Sequence, residues 1–262
     1  MTPSPLLRFS ASPLLPLSAS SFIWFAVALV PLLLLERWIH RHLQGVALLL
    51  VNDPEVAVWL YALPLLPGVV LHEVSHALAG RLLGVRVGRI SLRPARTGGR
   101  IQLGFVPVER TGPVRTALIG LAPLLVGCLA LLLIGFWGLR LGPAGQALAA
   151  GDGAALVTGL REALHAPDAW VWAYLAFAVA NTMLPSRSDM RAWPVVLLFL
   201  LLAALAVGVL GEGLAAGPLS SALRWLAVAC GLTALVDLPF VLLILGAEKG
   251  LERARGMRVE YR

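Results

Sequence analysis

The sequence predicts an all-α polytopic membrane protein, with about six transmembrane helices and a small membrane-associated β-hairpin, forming one integral membrane domain over residues 1–262. Three observations predict it. Of the 262 residues, 59% are hydrophobic and only 13% charged, and the mean hydropathy is +0.85, values that do not describe a water-facing surface. The charges are gathered into short stretches, and the apolar tracts between them are too extensive for one globule of this size to bury. Both cysteines, Cys128 and Cys230, lie deep in apolar runs, which excludes a disulfide-stapled secreted module.

The first span is expected over 14–35, after a Pro/Ser/Leu-rich leader whose only charge is Arg8. Glu36, Arg37 and Arg41 close the run, and without a small-residue cleavage site it reads as a retained helix rather than a removed signal. The second covers 56–81, with Pro64 and Pro67 bending or interrupting its early half. The third, fifth and sixth cover 118–139, 195–210 and 226–245. The fourth, 170–185, is short for a bilayer and crosses only if its end continues as a broken segment buried in protein, where Pro185 stands.

Between the second and third spans, 87–106 reads as a β-hairpin on the cytoplasmic side. Val87–Leu92 and Ile101–Val106 alternate in part, and Pro94 and Thr97-Gly98-Gly99 lie between them. It either caps the bundle or offers an unpaired strand edge. The Gly/Ala-rich stretch 140–167 is an interfacial helix or a loop, and His165 there has no second ligand spaced for it.

The net charge of +7 does not point to nucleic acid, because the arginines sit at the ends of apolar runs and in the loops between them. With the N-terminus inside, 16 of the 21 basic residues fall on the cytoplasmic side. The expected localisation is therefore a multi-pass cell-membrane protein with both termini cytoplasmic. In that arrangement spans two and four run outward to inward and finish on the same face.

The chemistry concentrates in His72-Glu73-Val74-Ser75-His76. On a helix, residues four apart are separated by about 6 Å along the axis and about 40° around it, so both imidazoles can approach one metal ion. Zinc suits this spacing, and Glu73 is placed to hold and deprotonate a water at the open coordination position. An acid and two histidines inside a span are costly in hydrocarbon unless they line a cavity, pair, or bind metal.

Catalytic zinc usually takes three protein ligands. Asp189 follows span four, which ends on the same face as His72 and His76, and is the best third ligand; its other reading is a loop carboxylate paired with Arg187 or Arg191. Asn181 is either an interhelical polar contact or a donor to the substrate backbone or reaction oxyanion. Asp237 is either a supporting group or a helix-packing or Arg224-linked carboxylate, and stays outside the core site.

Over approximately Val56 to Pro194 this arrangement resembles the site-2 protease family of intramembrane zinc metalloproteases, which carry His-Glu-x-x-His in one membrane helix and an Asn-x-x-Pro and Asp-Gly near a later one. His72 and His76 match the family's histidine ligands, Glu73 its catalytic glutamate and Asp189 its aspartate ligand. Asn181 stands at the family's eight-residue offset before that aspartate. The hairpin resembles the family's membrane-associated β segment. Pro185 is one position later than in the family, Met190 replaces the glycine after the aspartate, and Ala122-Pro123 only approximates the Gly-Pro element of the family's third helix.

The resemblance implies one zinc ion per chain, held by His72, His76 and Asp189, with Glu73 and Asn181 as catalytic residues. It also implies hydrolysis of peptide bonds in or near transmembrane segments of membrane-protein substrates, within the lipid bilayer. Two other readings stand beside it: an inactive family member that binds membrane proteins, raised by Met190, and a metal or ion transporter. Metal-dependent hydrolysis without flux separates the enzyme from the transporter, and one bound zinc per chain with a solvent ligand separates it from the inactive member. Substrate identity and oligomeric state are not fixed by these residues.

Overall fold

The computed structural model describes residues 20–97, 100–144, 147, 152–184, 189, 194, 198, 202 and 216–260. They are mostly helical. Two helical stretches among them are long and apolar enough to cross a membrane, Pro54–Leu82 and Pro113–Gly138.

Helix α1 (Ser20–Val51) is a single 32-residue helix. It does not end near Leu35, as the charges at Glu36, Arg37 and Arg41 suggest. Charge alone does not stop a helix, and no proline intervenes between Glu36 and Asn52-Asp53-Pro54, where Asn52 takes a left-handed backbone with φ 52°. Asp53 then caps α2 (Pro54–Ala62), its carboxylate accepting from the backbone N–H of Glu55 and Val56.

The interruption expected at Pro64 and Pro67 is present as a 3-10 turn, Leu63–Leu65, before α3 (Leu66–Leu82). Proline removes a helix donor and is tolerated where a first turn begins, so the run changes axis there without leaving helical conformation. At the far end of α3, Gly84 adopts φ +69°, with Val85 N–H bonded to Gly80 O and Gly84 N–H to Arg81 O. This Schellman closure turns the chain sharply out of the helix that carries the histidines.

The hairpin forms closer to its turn than the sequence pattern indicates. Strand β1 (Ala95–Thr97) pairs antiparallel with β2 (Arg100–Gln102), Ala95 opposite Gln102. Farther from the turn, Ser91 faces Phe105 and Val87 faces Val108 as isolated bridges. The pairing offset slips by one residue at each step, so the regular ladder is confined to the tip.

Helix α4 (Pro113–Leu133) starts with Pro113 in its first turn and runs into a π turn, Ile134–Gly138. Helix α5 (Gly153–His165) resolves the 140–167 stretch in favour of helix over loop, and the His165 ring is bonded to its own helix at Arg161 O. Helix α6 (Ala169–Ala180) has 12 residues, about 18 Å of rise against a hydrocarbon layer of about 30 Å. The expected fifth span, most of it, and residues 14–19 of the first lie outside the described residues. Helix α7 (Ala216–Arg255) has 40 residues, the longest among the described residues.

Pairings between helices set their directions. Gly68 packs against Ala178 and Thr182, and His72 bonds Thr182, so α3 and α6 run the same way, as expected of spans two and four. Helix α4 opposes α6, with Gly127 against Met183 and Gly138 against Trp172. Helix α7 opposes α6, with Asp237 bonded to Asn181 and Phe240 stacked on Phe177.

Helices α1 and α7 run parallel, because His42 meets Glu248 and Leu50 meets Arg255. Six alternating crossings with both termini on one face would make these two antiparallel. The described helices instead place Ser20 and Arg255 at opposite ends of the pair. One apolar cluster, around Leu32, Leu131, Ala176, Met183 and Cys230, joins α1, α4, α6 and α7. A second, around Ile39, Tyr61, Leu65, Phe177 and Ile244, joins α1, α2, α3, α6 and α7.

Candidate metal centre

The two histidines project from one face of α3, their rings edge to face with centroids 4.8 Å apart. Each is oriented by a backbone carbonyl on a different element. His72 Nδ1 is 2.6 Å from Thr182 O, just past the end of α6, and His76 Nδ1 is 2.9 Å from Ile119 O in α4. A carbonyl only accepts, so both protons sit on Nδ1 and both Nε2 atoms present lone pairs.

Those Nε2 atoms are 3.1 Å apart. Asp189 stands across from them, its Oδ1 3.4 Å from His76 Nε2 and its Oδ2 3.7 Å from His72 Nε2. With one donor atom taken from each residue, the set lies within 4.8 Å. Ligands about 2.0–2.1 Å from a tetrahedral zinc are about 3.3 Å from one another. The observed separations straddle that edge length, and two facing imidazole lone pairs at this distance call for a cation between them. The donor set therefore fits a metal ion, with two imidazoles and a carboxylate leaving a position open.

Glu73, on the same turn of α3, is buried. Its carboxylate lies against the backbone of Gly104, where an added Cβ would fall 2.7 Å from Oε1. Asp189 itself lies against Gly120 of α4, where an added Cβ would fall 2.8 Å from Asp189 O. Sequence reasoning passed over both glycines. The signal available for Gly120 was its position two residues before Ala122-Pro123; for Gly104 it was a glycine interrupting an alternating strand pattern, which marks close approach of another group.

The structure thus brings together His72, His76 and Asp189, with Glu73 beside them on α3. It does not support a donor role for Asn181. The two hydrogens of its amide nitrogen go to Phe177 O and to Asp237 Oδ1, each at 2.9 Å, so neither is available to a substrate or an oxyanion. The interhelical reading of Asn181 is the one observed, and Asp237 is its partner. Pro185, Arg187, Met190 and Arg191 lie outside the described residues.

Comparison with known proteins gives no match among family models, curated proteins or solved structures.

Proposed function

We propose that the protein is an intramembrane zinc metalloprotease acting on transmembrane or membrane-adjacent segments of protein substrates. The observation that carries this reading is the convergence of two carbonyl-oriented imidazoles and the Asp189 carboxylate on one point, with Glu73 beside them. A zinc ion there would supply a Lewis acid for the scissile carbonyl and acidify water at its open position. His72, His76 and Asp189 would hold that ion, one per chain. Glu73 accepts the proton of the attacking water and returns it to the departing amine. Asn181 takes no proton and touches no substrate; it anchors the end of α6.

The hairpin supplies a place for extended substrate. Ser91 and Phe105 exchange both backbone hydrogen bonds, so alternation turns the N–H and C=O groups of Gly104 and Val106 to the other side. Gly104 also touches Glu73, which sets that edge next to the proposed base. A substrate strand added there lies alongside the reacting groups.

The membrane setting follows from the two apolar helices and from composition, with the remaining long helices crossing in the same bundle. The α3–α4 connection holds eight arginines from Arg81 to Arg115, against Arg140 and Arg161 between α4 and α6. The face at the end of α3 is therefore the cytoplasmic one, and the parallel course of α1 and α7 puts the end of α7 on the opposite side.

The decisive comparison uses purified full-length protein in lipid with a transmembrane peptide substrate. Glu73→Gln keeps one equivalent of zinc and loses cleavage, whereas His72→Ala loses both. Undiminished cleavage by Glu73→Gln would sink the assignment. Zinc-dependent flux across vesicles without hydrolysis would favour the transporter reading instead.

A further inference from the structure

A second polar cluster lies beside the metal centre, between α1, α2, α6 and α7, and no ligand role accounts for it. Asp237 of α7 is 0% exposed and Asn181 1% exposed. Asn181 donates to Asp237 Oδ1 at 2.9 Å, while its own backbone carbonyl accepts from His40 Nε2 of α1 at 2.8 Å. Because that carbonyl fixes the proton on Nε2, His40 Nδ1 accepts from the Tyr61 hydroxyl at 2.5 Å. The Glu36 carboxylate lies 3.6 Å from the same ring.

Packing alone does not explain this arrangement. Among the described residues, Asp237 Oδ2 and Asn181 Oδ1 are buried with no hydrogen-bond partner, an unfavourable way to join helices that already share apolar clusters. What the cluster does provide is position. His40 holds the carbonyl of Asn181, and the very next carbonyl, that of Thr182, orients His72. The same turn is pressed against α3 through Thr182 on Gly68 and against α4 through Met183 on Gly127. A shift of this turn therefore moves the carbonyl that orients His72.

We infer that Asp237 and His40 are positioning residues for the metal centre: they fix the Asn181–Met183 turn, and through the Thr182 carbonyl they set the tilt and the tautomer of His72. This rests on the metal-site reading above. It gives α1 and α7, which contribute no ligand, a direct hold on the geometry of the ion.

The test is the electronic spectrum and affinity of Co2+ in the full-length protein, since the ligand-field bands report ligand geometry rather than stability. Asp237→Ala and His40→Phe should bind Co2+ about 10- to 100-fold more weakly and shift the bands. Asp237→Asn, which keeps an oxygen for the Asn181 amide, and His40→Gln, which keeps a donor for the Asn181 carbonyl, should restore both. Ile244→Ala, a packing change on α7 away from the turn, should lower thermal stability and leave the spectrum unchanged. If Asp237→Ala does not fold, the His40 pair makes the same comparison.

Folded Asp237→Ala and His40→Phe proteins with the parent affinity and spectrum would overturn the inference while leaving the metal centre intact. Parent protein that binds no Co2+, or whose affinity is untouched by His72→Ala, would remove the metal centre and the positioning claim with it.

Discussion

At the scale of single residues, the site depends on two glycines as much as on its ligands. Gly104 leaves room for the Glu73 carboxylate, and a methyl group there would sit 2.7 Å from Oε1, so Gly104→Ala pushes the proposed base aside without touching a ligand. A displacement of about 1 Å at a reacting group is worth ~100-fold in rate. Gly104→Ala should therefore cut turnover by about that factor with zinc content unchanged, as metal analysis alongside a cleavage assay would show. Gly120→Ala acts differently: it presses on the backbone of Asp189 and should weaken zinc retention, read by competition with a chelator. Equal metal retention in the two variants would mean that Asp189 does not depend on Gly120. The histidine pair was legible in the sequence because helical spacing alone puts residues four apart on one face. Asn181 was harder, since its partner lies 56 residues away on a helix of unspecified neighbourhood, and nothing local separates a free amide from an engaged one.

At the scale of elements, each helix near the site has a definite task. Helix α3 presents the ligands, α4 and the end of α6 supply the carbonyls that orient them, and α1 and α7 brace the end of α6. The proline interruption before α3 was visible beforehand, because proline acts through its own backbone; the Schellman turn at Gly84 was found only in the structure. Nor was the length of α1 visible. Glu36, Arg37 and Arg41 marked an end by charge, but Glu36 pairs with His40 one turn on in the same helix and His40 bonds Asn181 across the bundle, a partner only the tertiary structure provides. The hairpin was placed correctly and its ladder misplaced, since an offset that slips by one residue leaves no steady alternation to read. The exposed Phe105 stands beside the proposed substrate edge. Proline at Val106 removes one N–H from that edge while leaving the Ser91–Phe105 bonds in place. Val106→Pro should raise KM for a transmembrane peptide by roughly tenfold, the weight of one charge-free hydrogen bond, and leave zinc content alone; unchanged KM would place the substrate elsewhere.

At the scale of the whole molecule, the parallel pair α1 and α7 would set the sidedness in the proposed membrane setting. Single cysteines at Arg93, in the α3–α4 connection, and at Glu260, beyond α7, should react with a membrane-impermeant maleimide from opposite faces of sealed vesicles. Labelling of both from one face would restore a chain with both ends on the same side. Composition made the long apolar helices legible, yet helix direction is a property of pairings between distant residues, such as His42 with Glu248, that no local pattern encodes. The proposed metal centre has the same character: His72 and Asp189 are 117 positions apart and meet only if α3 and α6 lie side by side in one direction. X-ray absorption at the zinc edge of purified full-length protein examines that meeting at the ion itself. Two imidazole nitrogens at about 2.0–2.1 Å with oxygen ligands completing the shell, and loss of that shell in Asp189→Ala, are expected. Protein that takes up no zinc, or zinc whose coordination is the same with and without the Asp189 carboxylate, would refute the shared site.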